Sequence, residues 1–72
     1  MKTKVLGFLV NRYLRDDLNS MSPVMLYGQA RAENGKTAVI YDDMEDWFRD
    51  LNENIVDTEN FFWFPVAESA LS

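Results

Sequence analysis

The 72-residue chain has no cysteine and no histidine, and its three glycines, Gly7, Gly28 and Gly35, lie far apart. Without cysteine there is no disulfide, no thiolate chemistry and no cysteine-ligated zinc. Without histidine, the usual general base and the commonest transition-metal ligand are both missing. Scattered glycines exclude a G-x-G-x-x-G or Walker-type phosphate loop. Long apolar runs are missing as well. The run over residues 5–10 is too short to span a bilayer, and no small-residue cleavage site follows it as in a secretory leader. Small secreted domains usually rely on disulfides, so the composition points to the cytoplasm.

What is present is apolar mass and acid. Hydrophobic residues make up 47% of the chain and ten of its residues are aromatic, enough to expect one folded domain over residues 1–72. A domain of this size buries only about 60% of the surface its unfolded chain exposes, which leaves little room for an enclosed substrate cavity. The net charge of −5 is uneven. Residues 41–60 hold eight acids (Asp42, Asp43, Glu45, Asp46, Asp50, Glu53, Asp57, Glu59) against Arg49 alone, a net −7. Such a face avoids nucleic acid and anionic membranes, and any electrostatic partner should be basic.

The local patterns predict an α+β fold. Asn34-Gly35 between apolar-alternating runs is a type I′ hairpin signature. It predicts one strand entered at Pro23 and another from Lys36 to Tyr41, with Gly28, Ala30 and Ala32 forming a small-residue face. Met44, Trp47, Phe48, Leu51 and Ile55 form a helical stripe, so a short amphipathic helix is expected at about 43–53. Asp42 and Glu45 have capping-box spacing at its start, and Asn52 or Asn54 suits a left-handed cap at its end. Its Trp and Phe should pack on the small-residue face. FFWFPV at 61–66 reads as a strand that Pro65 pushes to an edge. The opening segment alternates as a strand would at about 3–12, with a loop or helical turn through RDDLNSMS; a helical start is the alternative. The expected architecture is an antiparallel sheet of three or four strands with one short acidic helix. An SH3-like small barrel, with 43–53 as an irregular loop, is the alternative fold.

The chemistry these residues offer is mostly that of contact. Starting an EF-hand at Asp42 or Asp50 places Trp47 or Ile55 where the turn glycine must stand, so neither register works. Asp42, Asp46 and Asp50 at i, i+4, i+8 could line one helix flank, but a solvated acidic face explains them far better and no metal or cofactor is expected. No serine or threonine has a histidine to activate it, and no catalytic role can be filled, so the chain is read as non-enzymatic. The bases (Lys2, Lys4, Arg31, Lys36) make at best a weak patch for nucleic acid, and direct binding is not expected.

Two readings of the aromatics stand side by side: FFWFPV is greasy on both sides, and either a further element covers the second side or the rings form an exposed interface. The favoured role is a binding protein that occludes a basic, nucleic-acid-handling protein partner, with acids that imitate nucleic acid. Asp42, Asp43, Glu45, Asp46, Asp50 and Glu53 would steer, and Phe61 and Trp63 would anchor. The alternative is a homodimer or larger homo-oligomer sealed by the aromatic strand. In size, acidity and lack of cysteine the chain resembles the small phage proteins that inhibit host enzymes or act in anti-defence. That resemblance is one of composition and transfers no site residues.

Overall fold

The opening segment is a strand. In the computed structural model, which describes residues 2–71, β1 runs from Thr3 to Leu9. Antiparallel neighbours flank it on both sides: β2, Ala38–Tyr41, and β3, Phe61–Ala67, giving the order β2-β1-β3. The register sets Gly7 opposite Val39 on one side and Trp63 on the other. Three helices complete the fold: α1, Arg15–Asn19, α2, Pro23–Glu33, and α3, Met44–Asn52, with a 3-10 turn over Glu68–Leu71. This is the expected α+β class, with three short helices instead of one, and residues 44–52 are helix instead of a barrel loop.

The alternation of β1 assigns its side chains to two faces. Leu6 and Phe8 join Ala38 and Val66 on the first face and pack against Leu18 of α1 and Leu26 and Ala30 of α2. These residues are buried, and each large apolar side chain contributes about 1.5–3 kcal/mol on leaving water. Phe8 meets Tyr13 and Phe64 edge-on at centroid distances of 5.2 and 6.0 Å. Val5 and Gly7 face the other way, toward α3 and the Trp63 ring.

The strand expected from Pro23 is a helix. Ser22 is its N-cap and accepts a hydrogen bond from the Met25 N–H at 3.3 Å, while Pro23 holds the first helical position, where its missing N–H costs nothing. Leu26 and Ala30, four apart, turn inward. A turn does form at Asn34-Gly35, but it is not type I′: Asn34 keeps a negative φ of −50° while Gly35 has φ 82°, and the turn joins a helix to a strand. The Glu33 carbonyl accepts from the Lys36 and Thr37 N–H groups, and the Thr37 hydroxyl donates to the Glu33 carboxylate at 2.9 Å. The expected face of Gly28, Ala30 and Ala32 therefore does not exist. Ala30 is core, Ala32 is exposed, and a Cβ on Gly28 would meet open space.

Candidate protein-binding surface

The second face of the sheet carries the aromatics singled out in the sequence. Gly7 leaves a gap in the middle strand, and the Trp63 indole from β3 lies across it. From there Trp63 reaches Phe61 at 5.8 Å, Tyr41 of β2 at 5.9 Å and Trp47 of α3 at 6.0 Å between ring centroids. Trp47 in turn meets Phe48 edge-on at 5.1 Å. Five rings thus form one connected layer under and beside α3. No residue of α3 is fully buried, and Phe48 keeps 49% of its surface in water. The helix covers the layer incompletely.

Local chemistry fixes this helix in place. Asp43, not Asp42, is the N-cap, and its carboxylate accepts from the Glu45 N–H at 2.9 Å. Capping by Asp42 is thereby corrected: Asp42 lies one residue outside, on the strand side, and binds the Lys4 ammonium at 3.1 Å. At the other end Asn54 takes the left-handed conformation, φ 59°, as expected for one of the two asparagines. The Asn54 N–H donates to the Leu51 carbonyl and the Ile55 N–H to the Asp50 carbonyl, a complete Schellman closure. The closure turns Ile55 outward, 63% exposed.

The acids divide into free and engaged groups. Glu45 and Glu53 point to solvent; Asp46 pairs at 3.2 Å with Arg49, both well exposed. Asp50 is more enclosed: it accepts the Tyr41 hydroxyl proton at 2.8 Å and lies 3.7 Å from Arg49. Burial pushes the Tyr41 phenol up from its ordinary pKa, and the hydrogen bond to Asp50 adds to this. The hydrogen bond to Asp42 likewise raises Lys4. Asp57 organises the loop before β3. It accepts from the N–H groups of Asn60 and Glu59 and from the Asn60 amide, bonds that hold its carboxyl below the usual range. Its own carbonyl accepts the Trp63 indole N–H at 2.8 Å.

Of the residues expected to bind a partner, the structure sets Phe61 and Trp63 in one aromatic layer and ties Asp50 to it through Tyr41, while Asp46 and Glu53 are exposed elsewhere on α3, Asp43 and Glu45 stand at the helix start and Asp42 at the strand end. Phe61 and Trp63 are half-buried. The layer also recruits Tyr41, Trp47 and Phe48. The helical stripe had marked the last two as core, and their incomplete cover follows from a single short helix lying over the strands. Among the described residues no three acids converge to hold a metal ion, no pocket opens, and no helix is long and apolar enough to cross a membrane. No family model, curated protein or solved structure matches the chain.

Proposed function

We propose that the chain is a small, acidic, non-enzymatic binding protein that occludes a basic, nucleic-acid-handling protein in the cytoplasm. The observation that carries this reading is a half-exposed aromatic layer joined through Tyr41 to Asp50 of the acidic helix α3. Phe48 and Ile55 project beside it, 49% and 63% exposed. Aromatic rings supply contact area that is cheap to order, and acids around them speed encounter with a cationic surface. A virus-encoded inhibitor of host or defence machinery fits this description by size and charge.

The test begins with a partner recovered on the immobilised chain and identified by mass spectrometry. Its association rate is then measured against salt. Asp46→Lys with Glu53→Lys reverses two exposed charges and spares Asp50, which Tyr41 needs. We expect association to slow at least about tenfold and its salt dependence to shrink, with an unchanged circular dichroism spectrum. An unaltered rate refutes the steering role of the acids.

A further inference from the structure

The hydrogen-bond phase of the sheet singles out one open edge. Two bonds continue the β1–β3 ladder beyond its ends, Val10 N–H to the Asn60 carbonyl and Glu68 N–H to the Lys2 carbonyl. Bonded pairs alternate with unbonded ones in an antiparallel ladder. Lys4–Val66, Leu6–Phe64 and Phe8–Phe62 are therefore the bonded pairs, and Gly7–Trp63 and Leu9–Phe61 are not. The Leu9 N–H agrees, since it is used toward β2, on the Thr37 carbonyl at 2.9 Å. The N–H and C=O groups of Phe61 and Trp63 consequently point away from β1, along a side where no strand pairs among the described residues.

The other edge differs. β2 has four residues, and its outward-facing Ala38 carbonyl already accepts the Gly35 N–H at 2.9 Å. Resting on the function just proposed, we infer that the partner contributes an extended basic segment that adds to the sheet as a fourth strand along Phe61–Trp63. Main-chain bonds would supply the pairing, and the two rings, on the same face, would lie beside alternate side chains of the incoming strand. Lysine or arginine there has the half-buried Phe61 ring beside it, with Asp57 and Glu59 just ahead of the strand.

Charge decides between a partner and a second copy. From Phe61 to Ala67 the edge bears no charged side chain, the usual guard against self-pairing. A second copy would bring another −5, whereas a basic strand is attracted. Pro65 occupies an outward position of the same phase, so the edge offers no donor there and pairing is confined to the first half of β3.

The experiment titrates the isotope-labelled chain with a capped peptide alternating lysine and valine. Its controls are a glutamate–valine peptide and a lysine–valine peptide N-methylated at every residue, which has no edge able to donate. We expect amide exchange at Phe61 and Trp63 to slow at least about tenfold at saturation with the first peptide and with neither control. Perturbation confined to α3, or no binding at millimolar peptide, overturns the strand-addition site. Equal protection by the glutamate peptide overturns the basic chemistry of the occupant. The Asp46/Glu53 reversal reads the proposed function separately, because neither residue lies on this edge.

Discussion

Gly7 sits directly beneath the Trp63 ring, and an ideal Cβ built on it would stand 2.5 Å from the ring. The position thus needs glycine for room, and the backbone there is ordinary strand. Trp63 cannot slide freely, because its indole N–H is bonded to the Asp57 carbonyl and three other rings bracket it. Gly7→Ala should cost about 1–3 kcal/mol in urea unfolding, the range for forcing a methyl into a packed site. The same change in a Trp63→Leu background should cost clearly less, because the obstructing ring is gone. Strict additivity of the two substitutions would show that the methyl is accommodated elsewhere. Trp47 presents the opposite case: its indole N–H is buried with no hydrogen-bond partner among the described residues, a local weakness where α3 meets the sheet.

Among the elements, α3 was readable from residue types because its signals agree: an apolar stripe at helical spacing, acids in the first turn and an asparagine ready for positive φ. The one-residue shift of its cap, from Asp42 to Asp43, lies within the usual latitude of helix ends. β3 was readable from its aromatics and Pro65. α2 was not, because two signals competed. Asn-Gly announced a hairpin, which drew Pro23 into the reading as a strand entry, whereas the Ser22 cap with proline at the first helical position favours a helix; the helix won through that cap and through the burial of Leu26 and Ala30. That outcome also settles how both sides of FFWFPV are used, since α1 and α2 cover Phe62, Phe64 and Val66, leaving Phe61 and Trp63 to α3. Within the aromatic layer the pairing of Phe61 and Trp63 on one side was legible from strand alternation, but the part of Tyr41 was not, because it depends on a strand pairing that no local pattern encodes. Pro65 carries a prediction at this scale. Pro65→Val restores an outward N–H to an uncharged edge, so the variant should self-associate in high salt, where repulsion is screened, while the parent chain should not. Sedimentation velocity decides, and equal monomer content would remove Pro65 from the guarding role.

The whole molecule has a pH window set by three groups. Lys4 and Tyr41 have folded pKa values above their unfolded ones, so their stability is complete below roughly pH 10 and drains as pH rises through the folded values. Asp57 is shifted down, so its contribution is complete above roughly pH 4 and is lost as pH falls through the folded value. Thermal melts across pH should show a plateau with two falling limbs. Asp57→Asn should flatten the acid limb and Tyr41→Phe the alkaline one; limbs unmoved by both would assign the pH response to other groups. The strand order has a further consequence. β1 is made first yet lies in the centre, and its two flanks arrive from about thirty and sixty residues downstream. A nascent chain can therefore set Leu6 and Phe8 against α1, α2 and β2 early, but their cover by Phe62, Phe64 and Val66 waits until β3 has left the ribosome, so the core closes late and chaperone capture during synthesis has a natural opening.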